Sequence, residues 1–236
     1  MNTPGRLYLI PSPLGDVHPE KVIPRHTLEI LRNLGQFAVE EIRTARRYLR
    51  KAGCTGDLEK TGFHELNEHS QPGDLAPVIA TLMSGQDVGL LSEAGLPCVA
   101  DPGHELVMEA HRQGIQVIPL PGPSSVMLAL MASGFNGQNF AFLGYLPVKA
   151  QERIREIRRI EKTLYLQNQT QIFIETPYRN ISLFNDLMKI CAGETYLCIA
   201  CDLTLETEWI RSLRIRDWKS ESPEISKRPA VFLLYK

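Results

Sequence analysis

Two short stretches rich in small residues hold the side chains best suited to binding a ligand. Residues 89–103 read Gly-Leu-Leu-Ser-Glu-Ala-Gly-Leu-Pro-Cys-Val-Ala-Asp-Pro-Gly, and residues 119–125 read Pro-Leu-Pro-Gly-Pro-Ser-Ser. Each stretch ends an apolar run typical of a buried strand, and its prolines and glycines fix the backbone in a loop. Small residues at the carboxyl ends of parallel strands let the main chain approach a ligand, so both stretches indicate a binding site.

The elements that must position these loops are alternating strands and helices. Apolar strand-like runs occur at residues 7–10, 37–39, 88–91, 116–120, 172–175, 197–200 and 230–234. Stretches with helical spacing lie between most of them, which predicts an α/β fold of parallel sheets covered by helices. The proline-rich segment 119–123 predicts a boundary between an N-terminal domain, residues 1–118, and a C-terminal domain, residues 119–236.

Composition narrows the class of protein. The 236 residues are 43% hydrophobic, enough to bury a real core, and the net charge of −1 predicts that any RNA contact comes from local patches. No apolar run approaches the roughly 20 residues that span a bilayer, and no secretory signal is evident, so we expect a soluble, cytoplasmic protein. The five cysteines lack the spacing of a zinc site, and we expect no metal.

Seven motifs, spread over nearly the whole chain, resemble one family in their order. They are residues 7–16, 40–43, 64–68, 92–103, 140–147, 173–179 and 200–204. On these motifs the chain resembles the tetrapyrrole methylase superfamily, and within it the branch of ribosomal RNA small-subunit ribose 2′-O-methyltransferases. The resemblance implies two domains, each with a mainly parallel sheet flanked by helices, and a cofactor in the cleft between them.

The resemblance implies that the cofactor is S-adenosylmethionine. Glu93 can accept hydrogen bonds from ribose hydroxyls, and Ala94 and Gly95 allow close approach of the backbone. Ser124 and Ser125 suit the same role, although a serine after a proline turn is also a common helix N-cap. The implied cofactor contacts are Leu14, Ser92, Glu93, Ala94, Gly95, Leu96, Pro123, Ser124, Ser125, Val126, Leu203 and Ala230.

Methyl transfer to oxygen is an in-line displacement in which positioning supplies much of the acceleration and a base assists. The resemblance implies that the catalytic groups are Glu40, Arg43, His64, Glu68, Glu175 and Arg179. Taken alone, His64 is more often a surface or structural histidine, and within the polar motif 64–68 a role in substrate binding is equally favoured. Glu175 and Arg179, which flank Pro177, could equally form a salt bridge in a turn.

Two basic stretches are candidates for binding RNA. Arg43, Arg46, Arg47 and Arg50 have i, i+3, i+4 and i+7 spacing, which predicts four guanidiniums on one helical face. Residues 149–162 carry six further cations, but their interleaved glutamates favour a solvated helix. The uncompensated arginine face is the better candidate, because guanidiniums bind phosphates bidentately.

These observations favour a methyltransferase that modifies the 2′-hydroxyl of a cytidine in small-subunit ribosomal RNA and forms a homodimer, the latter implied by the resemblance. Four departures from the family pattern keep alternatives open: Leu66 replaces a histidine, Glu93 an aspartate, Leu205 a lysine, and Arg228-Pro229 a Gly-Glu pair. The alternatives are methylation of a small molecule such as a tetrapyrrole precursor, and a catalytically weak paralogue that binds cofactor or RNA.

Overall fold

The structure, a computed structural model, describes residues 3–56, 59–67, 70 and 72–236. The chain folds into two compact units, unit 1 (Met1–Ser124) and unit 2 (Ser125–Lys236). The domain boundary predicted after residue 118 is a statement about domains that fold independently. The division into two compact units does not test it, so it stays a prediction. Within the described ranges, no helix is both long enough and apolar enough to cross a membrane.

Unit 1 is built on a five-stranded parallel sheet. Its strands are β1 (Leu7–Ile10), β2 (Gln36–Val39), β3 (Gly62–Glu65), β4 (Val88–Leu91) and β5 (Val117–Pro119). Its α-helices are α1 (Arg25–Asn33), α2 (Ile42–Lys51), α3 (Ala76–Met83) and α4 (His104–Arg112), with 3₁₀ turns at Pro19–Lys21 and Pro72–Leu75. The strand order is β3-β2-β4-β1-β5, and every pair is parallel. The carboxyl ends of all five strands therefore lie at one edge.

Both faces of this sheet are covered. Leu28 of α1 and Leu49 of α2 pack with Ile10 and Phe37 on one face. On the other face, α3 and α4 pack against alternate strand residues such as Ala38. The central strand β4 is buried along its whole length, which explains its continuous apolar sequence.

Unit 2 contains a five-stranded mixed sheet. Its strands are β6 (Phe140–Tyr145), β7 (Thr170–Glu175), β8 (Tyr196–Cys201), β9 (Trp209–Arg214) and β10 (Ala230–Tyr235). Its α-helices are α5 (Ser125–Ser133), α6 (Ala150–Gln167), α7 (Asn180–Ile190) and α8 (Ile215–Trp218), with a 3₁₀ turn at Pro177–Arg179. The strand order is β6-β7-β10-β8-β9. Ile157 and Ile160 of α6 lie in its core, together with the stacked rings of Phe173 and Phe232.

The predicted α/β class is confirmed, but the expectation of a mainly parallel sheet is wrong for unit 2. Only β6 and β7 pair in parallel, whereas β7–β10, β10–β8 and β8–β9 are antiparallel. The cause is the connection between β8 and β9, residues 202–208, which is too short for the crossover that a parallel pair requires. Strand β10 then inserts antiparallel to both of its neighbours.

The three strands that the apolar pattern missed, β3, β6 and β9, all lie at sheet edges. Each is largely half-buried, and the sequences of β3 and β9 mix polar and apolar residues without a continuous apolar run.

A second difference concerns the basic stretch 149–162. Arg153 is buried there and pairs with Asp186, with Nη2 and Oδ2 2.6 Å apart, so it is not part of a solvated surface.

Candidate functional site

A cavity of about 400 Å³ in unit 1, here called the unit 1 cavity, opens at the carboxyl ends of the parallel strands. Three segments enclose it: the loop after β1, the loop after β4, and one face of α2. Its charged and hydroxyl-bearing lining residues are Ser12, Asp16, Thr44, Arg47, Tyr48, Lys51, Ser92 and Glu93. Because parallel strands direct their carboxyl ends to one edge, residues far apart in sequence converge here.

Helix α2 contributes the polar wall of the unit 1 cavity. Thr44, Arg47, Tyr48 and Lys51 have i, i+3, i+4 and i+7 spacing, and all four line the cavity. The carboxylate of Glu41 caps the helix by accepting hydrogen bonds from the backbone amides of residues 43 and 44 at 2.8 and 2.7 Å. The Tyr48 hydroxyl donates to the Pro11 carbonyl at 2.9 Å, which ties α2 to the loop after β1.

The loop after β4 is held against the loop after β1 by a short two-way bridge. The backbone amides of Ser12 and Gly95 donate to each other's carbonyls at 2.9 and 3.0 Å. The hydroxyl of Ser92 donates to the Gly95 carbonyl at 2.6 Å, and the hydroxyl of Ser12 to the Ser92 carbonyl at 2.6 Å. Gly95 has φ +80°, and an added Cβ would lie 3.2 Å from Leu14 and 3.6 Å from the Pro123 carbonyl.

Three carboxylates, Glu40, Glu93 and Asp101, lie near one another beside this loop, and they are here called the acidic cluster. Burial, followed by the charges of Glu40 and Glu93, raises the pKa of Asp101 to about 6. Asp101 Oδ2 is buried and has no hydrogen-bond partner among the described residues. Glu93 is exposed and accepts a hydrogen bond from the Thr44 hydroxyl at 2.5 Å. The acidic cluster thus concentrates negative charge beside the cavity.

The histidine motif lies on the edge strand β3. His64 is half-buried, its Nε2 has no hydrogen-bond partner among the described residues, and burial lowers its pKa. The structure therefore favours a neutral imidazole, which can accept a proton. Leu66, where the family has a histidine, is 4% exposed and packs in the apolar core. Glu68 lies outside the described residues.

The predicted pair Glu175 and Arg179 forms a buried salt bridge in unit 2. The Glu175 side chain is fully buried at the end of β7, and its Oε1 accepts hydrogen bonds from Arg179 and from the Thr176 backbone amide. Glu175 Oε2 has no partner among the described residues. Ala230 is directly opposite Glu175 in the sheet register. The turn salt bridge is thus observed, and the catalytic role of both residues stays a prediction.

The remaining predicted contacts of unit 2 are Ser125, Val126 and Leu203. Ser125 begins α5 and is half-buried, whereas Val126 and Leu203 are buried. Asp202 precedes Leu203 in the chain, and its carboxylate accepts a hydrogen bond from Arg228 at 2.8 Å. Arg228 also donates to the Glu224 carbonyl at 2.8 Å. The departure at Arg228 is therefore stabilised by its own ion pair.

The arginine face of α2 does not form one uniform surface. Arg43 and Arg50 are exposed and Arg47 lines the unit 1 cavity. Arg46 is half-buried, and its guanidinium lies over the Phe63 ring at 5.3 Å from the ring centre. RNA binding by the four arginines stays a prediction, and the structure shows that Arg46 differs from the others because it lies against a strand-edge aromatic ring.

Several predicted residues meet at the unit 1 cavity and others do not. Leu14, Ser92, Glu93 and Ala94 line it, whereas Leu96 and Ser124 do not. The sequence reasoning assigned no role to Asp101, Thr44 or Lys51. The signal for Asp101 was its position in the Asp-Pro-Gly motif, and for the other two it was the helical spacing that they share with Arg47.

Solved structures share this fold over almost the whole chain. The methyltransferase CobJ superposes with a TM-score of 0.65 at 16% identity, covering 98% of this chain and 94% of that one. The uroporphyrin-III-C-methyltransferase from Thermus thermophilus gives a TM-score of 0.57 at 20% identity, covering 98% and 92%. The fold is therefore the two-unit α/β fold of these methyltransferases.

Sequence similarity identifies the family. The sequence model described as Tetrapyrrole (Corrin/Porphyrin) Methylases matches residues 7–217, and the chain belongs to this family. Relatives named ribosomal RNA small subunit methyltransferase I include those of Vibrio cholerae, 30% identical over 97% of this chain and 76% of the relative, and Pseudomonas aeruginosa, 32% identical over 98% and 78%. The chain is an S-adenosylmethionine-dependent methyltransferase.

The residues of unit 1 fit S-adenosylmethionine. This cofactor carries a positively charged sulfonium and ribose hydroxyls, and it supplies an electrophilic methyl group when bound. The acidic cluster offers carboxylates to both groups, and the buried, unpartnered Oδ2 of Asp101 is an available acceptor. Gly95, whose Cβ would press on Leu14, lets the loop after β4 pack closely against the loop after β1.

Proposed function

We propose that the chain methylates the 2′-hydroxyl of a cytidine in small-subunit ribosomal RNA. The observation that carries the proposal is the similarity, along 97–98% of the chain, to relatives named for ribosomal RNA methylation. The cationic side chains that line the unit 1 cavity support an anionic acceptor such as RNA. Two residues that differ from the family pattern fit the fold: Leu66 packs in the core, and Arg228 forms an ion pair with Asp202. Both positions are therefore compatible with a stable fold.

The proposed chemistry is an in-line displacement in which the acceptor hydroxyl loses its proton. His64 can accept this proton, because burial lowers its pKa and so favours the neutral imidazole, and its Nε2 has no hydrogen-bond partner among the described residues. Asp101 can also accept it, because its raised pKa makes the carboxylate more basic than usual. We assign Glu40 to the acidic cluster that faces the donor, and Arg43 to contact with the RNA.

The experiment supplies radiolabelled S-adenosylmethionine to small ribosomal subunits, and separately to naked ribosomal RNA, from a strain that lacks the gene. We expect label in one of the two, with 2′-O-methylcytidine found by mass spectrometry after nuclease digestion. Label in neither sample, together with an unchanged modification pattern in the deletion strain, would exclude the ribosomal acceptor. A third sample contains a tetrapyrrole precursor instead of RNA, and label in that sample alone would favour the small-molecule alternative.

Ser125, at the start of α5, provides the test of the predicted cofactor contacts. We expect Ser125→Trp to abolish binding of S-adenosylmethionine in calorimetry while the protein remains folded, because a bulky ring replaces a small half-buried side chain. Ser220→Trp is the matched control, since Ser220 is exposed in the turn after α8. Equal binding by both variants would remove Ser125 from the site.

We also propose a cytoplasmic homodimer. The observation in support is the exposure of two large apolar side chains on α5, Met127 at 39% and Met131 at 79%. Light scattering at micromolar concentration should give twice the 26.6 kDa mass of the chain. A monomer mass would contradict the proposal.

A further inference from the structure

The unit 1 cavity contains one cation that nothing in the described chain neutralises directly. Lys51 pairs with Asp16, and Glu93 accepts a hydrogen bond from Thr44. Arg47 lines the same cavity, is exposed, and makes no hydrogen bond or salt bridge to a described residue. It lies close enough to Asp16 to contribute to the lowered pKa of that carboxyl, after the larger effect of Lys51.

The Lys51–Asp16 pair closes one side of the cavity with a displaceable counterion. The Asp16 side chain is 87% exposed and that of Lys51 is 46% exposed, so Asp16 can move into solvent without unpacking the loop. An exposed ion pair of this kind contributes little free energy. An entering anion with stronger charge can therefore replace Asp16 and contact both Lys51 and Arg47, which are one helical turn apart on α2.

The cavity has the size and position of a nucleotide site. Its volume of about 400 Å³ is within the range of small-molecule sites, and apolar residues such as Leu14 and Val39 form the rest of its wall. Ser92, Glu93 and Ala94 line the cavity and also belong to the predicted cofactor loop.

We propose that the unit 1 cavity binds a nucleotide of the acceptor RNA strand, with Arg47 and Lys51 holding its phosphate and Asp16 acting as the counterion that the phosphate displaces. The proposal rests on the proposed function, since it takes RNA as the acceptor. It separates Arg47 from Arg46, whose guanidinium is engaged by Phe63. It also predicts that loss of charge at Asp16 changes RNA affinity in the opposite direction to loss of charge at Arg47 or Lys51.

The test measures binding of a fluorescein-labelled oligocytidylate by fluorescence anisotropy, without cofactor. Arg47→Gln and Lys51→Gln should each weaken binding about tenfold or more and lower the log–log salt slope by about 0.7. Asp16→Asn should strengthen binding about threefold, because the phosphate no longer competes with a carboxylate. Arg112→Gln, which removes a cation from α4, should leave binding unchanged.

Two competitors identify the source of the phosphate. Inorganic phosphate and cytidine 5′-monophosphate should displace the oligocytidylate only at much higher concentrations, because each lacks the neighbouring phosphates of a strand. Displacement by cytidine 5′-monophosphate at equal concentration would assign the cavity to a free nucleotide and overturn the proposal. Weakening of the same size in the three variants that lose a cation, Arg47→Gln, Lys51→Gln and Arg112→Gln, would reduce the site to general charge attraction and overturn the proposal as well.

Parallel assays of methyl transfer to small subunits separate this proposal from the proposed function. If the wild-type protein transfers no methyl group but oligocytidylate binding still depends on Arg47 and Lys51, the proposed function is overturned and the proposed nucleotide site stands. Normal transfer by Arg47→Gln with unchanged KM and unchanged RNA affinity would overturn the site and leave the function.

Discussion

The acidic cluster of unit 1 and the Glu175–Arg179 pair of unit 2 use carboxylates in opposite ways. Glu175 is fully buried and hydrogen-bonded to a cation, so its charge is compensated within the chain. In the acidic cluster, Asp101 is near two further carboxylates, and its pKa is raised to about 6. Charge compensated within the chain stabilises a fold, whereas concentrated negative charge beside a loop is available to a cationic ligand.

The largest expected effect concerns the pair in unit 2. Arg179→Met should lower the free energy of unfolding by about 3 kcal/mol, because it leaves the buried Glu175 carboxylate without its cation. Urea denaturation measures this loss. The double variant Glu175→Gln with Arg179→Met should recover much of it, since no buried charge remains. A stable Arg179→Met variant with reduced kcat would instead indicate a catalytic arginine and break the comparison.

The next effect concerns the backbone of the loop after β4. Gly95→Ala should destabilise unit 1 by about 1–2 kcal/mol, because a left-handed backbone and contact with Leu14 disfavour a side chain there. Cofactor affinity, measured by calorimetry, should fall with it. Gly35→Ala is the control, because its Cβ would meet nothing within 4 Å. Equal thermal shifts in both variants would show that the loop adapts freely.

The sequence predicted the buried centre of each sheet and the loops after β4 and β5. Continuous apolar runs identify strands covered on both faces, as β4 is, but edge strands such as β3 carry no such signal. The sequence also could not show the directions of β8, β9 and β10, since direction depends on connection geometry. The class and cofactor were predicted from the motifs, and the comparisons confirm both.

Among the site residues, spacing alone could not show which face of α2 meets the cavity. The arginines at 43, 46, 47 and 50 and the cavity-lining set at 44, 47, 48 and 51 have the same helical period, one residue apart. Only the packing of Ala45 and Leu49 into the core fixes which set faces the loop after β1. The pKa of Asp101 likewise depends on Glu40, 61 positions earlier in the chain.

The smallest expected effect is the pH dependence of Asp101, which tests the acidic cluster directly. A pKa raised from 3.8 to about 6 means that the folded state disfavours the charged carboxylate. This cost is absent below pH 4, grows between pH 4 and 6, and is complete at pH 7.5. Asp101→Asn should therefore raise the Tm at pH 7.5, and its advantage should shrink as pH falls through 6. Asp16→Asn, whose carboxyl has a pKa lowered by Lys51, should show no such gain. A pH-independent difference for Asp101→Asn would mean that neither burial nor the neighbouring carboxylates raise the pKa of Asp101.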